Sequence, residues 1–174
     1  ITPSSYFTSE ADLSAYVINQ YTFTSIAPGS YGISVFGYDN GTDNQAAMSA
    51  SSFWQPGVWQ VPQNVGSSSS DSWNFTRIRQ INYFLDQVLP KYENGAITGN
   101  EANIRHYIGE AYLIRAYNYF DKLVTIGDCP IIEQALPDDK EVLVEASKRQ
   151  PRHKVARFIL GQIDKALEYL LETP

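Results

Sequence analysis

Three stretches of apolar residues at helical spacing constrain the fold of this chain most. The first forms a stripe from Phe75 to Leu89, the second runs from Ile104 to Tyr117, and the third from Val155 to Leu170. Apolar residues three and four positions apart lie on one face of a helix, and that face must be buried against another element. Each stretch therefore predicts an amphipathic helix, and together they indicate an all-α fold, either a bundle or a helical repeat.

Capping and breaking signals predict the ends of the first two helices. Ser9-Glu10-Ala11-Asp12 resembles a capping box, and it predicts a first helix that runs to about Ile26 and ends at Pro28-Gly29. Asp71-Ser72 offers side-chain oxygens for the N-cap of the second helix, and Pro90 is expected to stop that helix.

The third and fourth helices are predicted from similar signals. Thr98-Gly99-Asn100-Glu101 resembles another capping box, and the third helix is expected to begin after it, continue to about Val124 and close at Gly127-Asp128. The fourth helix is predicted to follow Pro151. Small residues on the third helix are expected to let a partner helix approach closely, namely Gly109, Ala111 and Ala116.

Three polar side chains lie inside these helices. Asn82 is on an apolar stripe, so its amide is expected to bind a neighbouring loop or helix. Glu110 and Arg115 could indicate acid–base chemistry, but a structural ion pair or network is the interpretation that we favour.

A segment of different character separates the first two helices. Residues 31–72 are rich in Gly, Ser, Asn and aromatic residues and end in a flexible Gly-Ser connector at 66–70. A long segment without periodicity is usually functional or disordered, and the aromatic residues argue against simple disorder. We therefore predict a long irregular loop with functional side chains, in which a short helix at 44–53 is possible.

Composition excludes several classes of function. The net charge of −6 disfavours nucleic acid as a partner, and no run of apolar residues is long enough to cross a membrane. Cys129 is the only cysteine and is expected to be a small buried residue, since neither His106 nor His153 carries a cysteine-protease signature. No metal site and no cofactor are predicted. Both chain ends look like interior sequence, so we expect a fragment of a longer protein.

Several stretches of the chain are similar to motifs of the SusD/RagB family. The most specific is Gly109-Glu110-Ala111-Tyr112-Leu113-Ile114-Arg115-Ala116-Tyr117-Asn118-Tyr119-Phe120, with the turn Gly127-Asp128-Cys129-Pro130 after it. The family shows a Glu-Ala-x-x-x-Arg-Ala helix that carries aromatic residues, followed by a Gly-Asp-x-Pro turn. Weaker likenesses lie in the first helix and in two further stretches: Trp73 with Arg77, Ile78, Ile81 and Asn82, and Pro151-Arg152 with Ile163-Asp164-Lys165-Ala166. His153-Lys154 stand where the family commonly has a small polar residue.

The resemblance implies a fold, a location and a partner. It implies tetratricopeptide-like helix pairs within a single N-terminal domain, residues 1–174. It implies a non-catalytic glycan- or nutrient-binding lipoprotein on the outer membrane of a Bacteroidetes-type cell, working with a SusC-like TonB-dependent transporter. The lipid anchor that would hold such a protein on the membrane is missing from this chain.

The candidate ligand site rests on the chemistry of sugars. Sugar rings expose apolar C–H faces that stack on aromatic rings, while carboxylates and amides bind their hydroxyls. Trp54 and Trp59 are therefore predicted platforms and Asp39 and Asn40 predicted hydroxyl partners, with Trp73 as a further candidate. The alternative roles are packing for the three tryptophans and a turn for Asp39-Asn40.

Two other functions compete with glycan binding. A helical scaffold for protein interactions, without a small-molecule ligand, explains the same helices. A glycosidase would need two carboxylates facing each other across a cleft, and nothing marks Asp39 and Asp43 as such a pair. No catalytic residue is predicted.

Overall fold

A computed structural model describes residues 6–21 and 73–172. These two ranges hold five helices and no strand, which confirms the predicted all-α fold. The helices are α1 (Glu10–Ile18), α2 (Thr76–Glu93), α3 (Glu101–Thr125), α4 (Lys140–Ala146) and α5 (Arg152–Tyr169). None of them is long and apolar enough to cross a membrane.

Helix α1 has the predicted start but ends earlier than expected. The Ser9 hydroxyl accepts the Asp12 N–H and the Asp12 carboxylate accepts the Ser9 N–H, so the capping box is present. The predicted extension to Ile26 is wrong, because α1 ends at Ile18. The Asn19 side-chain amide donates to the Ala15 carbonyl at 2.7 Å. Such side-chain bonds compete with the helical backbone pattern.

Both predicted ends of α2 need correction. Its N-cap position is Phe75, and Asn74 Oδ1 accepts the Thr76 N–H at 2.8 Å, so Asp71-Ser72 lies too early to cap it. Pro90 does not stop the helix, which continues to Glu93. Proline removes the bond to the carbonyl four residues earlier, here that of Asp86. Asp86 and Pro90 are both exposed, so water can bind that carbonyl.

Helix α3 is central and packs against α1, α2 and α5. The predicted capping box at Thr98 is wrong, because α3 begins at Glu101 with Asn100 as its N-cap. The Asn100 side chain accepts the N–H groups of Ala102 and Asn103. A Cβ atom on Gly109 would lie 2.9 Å from the Leu170 backbone nitrogen and 3.0 Å from the Ala166 carbonyl oxygen. The absence of a side chain at 109 therefore allows the close approach of α5 that the sequence predicts.

The turn after α3 also caps α5. The Asp128 carboxylate accepts the Arg152 N–H at 2.8 Å, which satisfies one of the free N–H groups at the start of α5. Next to it, the Gln150 N–H donates to the Cys129 carbonyl at 3.0 Å. The Gly-Asp-x-Pro turn and the Pro-Arg start of α5 thus meet in space.

The interior of the described residues has an aliphatic part and an aromatic part. Cys129 is fully buried, as predicted, in a cluster with Ile78, Ala116, Tyr119, Val155 and Ile159. The rings of Phe7, Tyr16 and Phe84 pack together with centroids 5.2 to 5.4 Å apart. The single domain 1–174 and the tetratricopeptide-like pairing stay predictions, and the loop 31–72 with its possible helix lies outside the described residues.

Candidate functional site

A buried arginine joins α2, α3 and α5. Arg115 is 3% exposed, and its guanidinium donates to the side-chain oxygen of Gln162 at 2.5 and 2.9 Å and to that of Asn82 at 3.0 Å. It also donates to the Glu133 carbonyl at 3.1 Å. Burial holds the pKa of Arg115 below its usual value. All of these acceptors are neutral, so Arg115 cross-links the helices without a carboxylate partner.

Glu110 does not pair with Arg115, although both lie on α3. Its carboxylate accepts the Tyr21 hydroxyl at 2.5 Å and lies 3.6 Å from His106 Nε2. The favoured interpretation, a structural network, holds for Arg115, but the two residues belong to separate groups of contacts.

Side chains from α2 and α3 fix the irregular segment 131–136, which we call the wall segment. Asn82 Nδ2 donates to the Ile132 carbonyl at 2.7 Å and to the Gln134 carbonyl at 3.2 Å, as its place on an apolar stripe predicts. The Tyr119 hydroxyl accepts the Ile132 N–H at 2.7 Å and lies 3.1 Å from the Ile132 carbonyl oxygen. Asp86 accepts the Ala135 N–H at 2.7 Å. The wall segment is thus held in one conformation although it belongs to no helix.

An open groove of about 310 Å³ lies between α2 and the wall segment. Its lining is mainly apolar and includes Phe75, Ile78, Arg79, Asn82, Ile132, Gln134, Leu136 and Leu143. Small-molecule sites usually measure roughly 300–1,000 Å³ and combine apolar walls with a few polar groups. The groove is therefore a candidate binding surface at the lower end of that range.

Trp73 precedes α2 by three residues and is partly buried. The Arg149 guanidinium carbon lies 4.5 Å from the centroid of its ring. An arginine over an indole makes a favourable cation–π contact and covers one face of the ring. A sugar that stacked on this face of Trp73 would have to displace Arg149.

The other predicted ligand residues, Asp39, Asn40, Trp54 and Trp59, lie outside the described residues. Their roles stay predictions, and so does the role of Trp73 in binding. Within 6–21 and 73–172, no group of three or more His, Cys, Asp or Glu residues could hold a metal ion.

Sequence reasoning missed two polar residues that organise this region. Gln162 accepts the Arg115 guanidinium, and it lies at helical spacing with Val155, Ile159 and Ala166, the buried residues of α5. A glutamine on that stripe is the same signal that singled out Asn82. The Tyr119 hydroxyl carried no such signal, because its partner Ile132 lies in a segment without periodicity.

Comparison with known proteins gives one relative. No family model and no solved structure matches this chain. Over 79 residues the chain is 29% identical to SusD-like protein P2 of Formosa agariphila. The match covers 45% of this chain but only 15% of that relative's length. It supports a relationship to SusD-like proteins, as the helix and turn motifs predict.

Proposed function

We propose that this chain is the N-terminal part of a non-catalytic, glycan-binding SusD-like protein. The observation that carries this proposal is the 79-residue similarity to a SusD-like protein. The helical fold and the contacts between motif residues support it. Asn82 bonds Arg115, and Asp128 bonds Arg152, so residues of three similar stretches meet in the folded chain.

The proposed ligand is an oligosaccharide or polysaccharide, held mainly by the aromatic segment 31–72. Trp54 and Trp59 stack on sugar faces, while Asp39 and Asn40 bind hydroxyls. The whole protein is anchored by lipid on the cell surface at the outer membrane and delivers its ligand to a SusC-like TonB-dependent transporter. In this proposal the protein binds the glycan, and other proteins cleave or modify it.

Calorimetry against a panel of polysaccharides and oligosaccharides tests this function. Heat of binding for at least one glycan, without release of reducing sugar during incubation, is the expected result. Release of sugar would support a glycosidase instead. Lack of binding to every glycan by a folded chain would contradict the proposal for this part of the protein.

The alternative, a helical scaffold for protein interactions, is favoured by one feature of α3. Four large apolar side chains on α3 are exposed at spacings of four, three and four residues: Leu113, Tyr117, Phe120 and Val124. Apolar stripes on a helix surface commonly mark a contact with another protein surface. Under this alternative, substitution of Phe120 by Ser would abolish capture of a protein partner and leave glycan binding unchanged.

A further inference from the structure

The chain leaving α5 docks on the first half of α3. The Leu171 N–H donates to His106 Nδ1 at 3.2 Å. Leu170 packs against Gly109, where a Cβ atom would lie 2.9 Å from the Leu170 Cγ. Near the end of α5, the Glu168 carbonyl accepts a hydrogen bond from Arg105 Nη2 of α3 at 2.6 Å. We call the contact of residues 170–171 with His106 and Gly109 the α5 exit contact.

The α5 exit contact fixes the tautomer of the neutral His106 imidazole. A backbone N–H can only donate, so Nδ1 must accept with a lone pair and cannot carry a hydrogen. The single proton of the neutral imidazole is therefore on Nε2. A second proton on Nδ1 would point at the Leu171 N–H and break this bond.

Nε2 faces a carboxylate that can bind a charged imidazole. Glu110 Oε1 lies 3.6 Å from His106 Nε2 and accepts the Tyr21 hydroxyl. Burial and the contact with Glu110 raise the pKa of Tyr21, so this hydroxyl stays protonated at neutral and acidic pH. Acidification thus removes the Leu171 bond and strengthens the attraction between His106 and Glu110.

Within residues 6–21 and 73–172, the charged and titratable groups near the imidazole lie on α3, on α5 and just after α1. The Tyr107 ring lies edge-on to it, with centroids 6.3 Å apart. Glu110 and Tyr107 contact the imidazole directly, and Tyr21 after α1 bonds to Glu110. Next to the α5 exit contact, Arg105 of α3 bonds the Glu168 carbonyl and lies over the Tyr169 ring. Of these, Glu110 makes the direct ionic contact, so it determines how the protonated state is stabilised.

We propose that His106 is a pH-sensitive latch that bonds the chain leaving α5 to α3 when neutral and gives up this hydrogen bond when protonated. An Nδ1 that carries a proton cannot accept the Leu171 N–H, so acid that protonates the imidazole opens this bond. The bond lies next to the packing of Leu170 on Gly109. This proposal is independent of what ligand the protein binds.

The test is nuclear magnetic resonance of the 174-residue chain between about pH 7.5 and about pH 5. Imidazole nitrogen shifts should place the proton of neutral His106 on Nε2. The protection of the Leu171 amide against hydrogen exchange, corrected for the intrinsic pH dependence of exchange, should fall at least about fivefold as His106 titrates, because one hydrogen bond is lost.

Two variants separate the latch from a general effect of acid. In His106→Asn the side-chain oxygen can still accept the Leu171 N–H but does not titrate, so the protection should not depend on pH. In His153→Asn the other, exposed histidine is removed and the wild-type response should remain. Protection that stays constant while His106 titrates, or a neutral imidazole with its proton on Nδ1, would overturn the proposal. If His106→Asn does not fold, the proposal is tested on the wild-type chain alone, by the Leu171 protection and by the position of the proton on neutral His106.

Discussion

At the residue scale, Arg115 is a charged group stabilised by neutral partners. Its guanidinium binds two amide oxygens and a carbonyl, and it lies 5.3 Å from the centroid of the Tyr112 ring. Removal of either amide would leave donors of a buried cation without an acceptor. Removal of the cation would leave two buried oxygens without donors. The network therefore stabilises the fold only when it is complete.

Arg115→Met should lower the free energy of unfolding by about 3 kcal/mol, because the oxygens of Asn82 and Gln162 lose their donor in the interior. Urea unfolding followed by circular dichroism measures this. The matched control is Arg157→Met on the exposed side of α5, with an expected change within about 0.5 kcal/mol. Equal effects of the two substitutions would show that the network contributes nothing.

The Glu10 carboxylate should make stability depend on pH. It accepts the Asn100 N–H at 2.8 Å and the Asn103 amide at 2.7 Å, and these bonds lower its pKa. A lowered pKa stabilises the fold above the unfolded-state pKa, and this contribution is lost as pH falls through the folded-state value.

Urea unfolding of wild type and Glu10→Gln at several pH values checks this dependence. Wild type should be more stable at neutral pH, and the difference should shrink below about pH 4.5. Glu141→Gln on α4 is the control for the loss of an exposed carboxylate. A Glu10 difference that stays constant down to acidic pH would contradict the assignment.

Single residues differ in how far the sequence reveals their roles. Asn82 could be predicted to bind a neighbouring segment, because an amide on an apolar stripe needs a partner. Its partners, Arg115 and the wall segment, could not be predicted, because they depend on which helices lie side by side. Trp54 and Trp59 can be recognised as aromatic residues in a polar segment. Their spacing alone does not show whether each ring stacks on a sugar or packs against the protein.

At the scale of elements, two glycines in packed helices should respond oppositely to the same substitution. Gly109→Ala should destabilise the fold by about 1–3 kcal/mol, because the new Cβ would meet the backbone of α5. Gly161→Ala should be neutral or stabilising by up to about 1 kcal/mol, because nothing lies within 4 Å of the new atom. Thermal or urea unfolding compares them, and a tolerated Gly109→Ala would contradict the close approach of α3 and α5.

The cap that the turn after α3 provides for α5 should be measurable. Asp128→Ala should lower the free energy of unfolding by about 1 kcal/mol, because the Arg152 N–H loses its acceptor. Asp138→Ala, at an exposed position that caps no helix, is the control and should change little. If Asp128→Ala were as stable as the control, the start of α5 would not depend on that turn.

The helices with a long apolar stripe were predicted, and the one without such a stripe was missed. Helix α4 has seven residues, none of them buried, and three consecutive apolar residues give it no periodicity. Only Asp139, whose side chain accepts the Val142 N–H, marks its start. The predicted end of a helix was wrong where its tertiary surroundings determine the end. Pro90 is an example, because its position on an exposed face lets α2 continue.

At the scale of the whole molecule, the described helices form a scaffold and the proposed ligand residues lie mainly in the segment between α1 and α2. The sequence predicts an all-α class because amphipathic periodicity is local. The motifs that resemble the family include residues that contact each other: Asn82 of α2 bonds Arg115 of α3, and Asp128 bonds Arg152 at the start of α5. The proposed ligand residues lie in a segment without helical periodicity, so their arrangement could not be predicted from spacing.

The central claim is that Trp54 and Trp59 hold carbohydrate, and electrophoresis through polysaccharide-containing gels tests it most directly. The folded wild-type chain should be retarded by at least one polysaccharide relative to a gel without it. A Trp54→Ala, Trp59→Ala double variant should lose that retardation, since stacking on both rings is removed. Leu160→Ala, which truncates an exposed apolar residue of α5, should be retarded like wild type. Equal retardation of the double variant and wild type, or no retardation of wild type by any polysaccharide, would contradict the account.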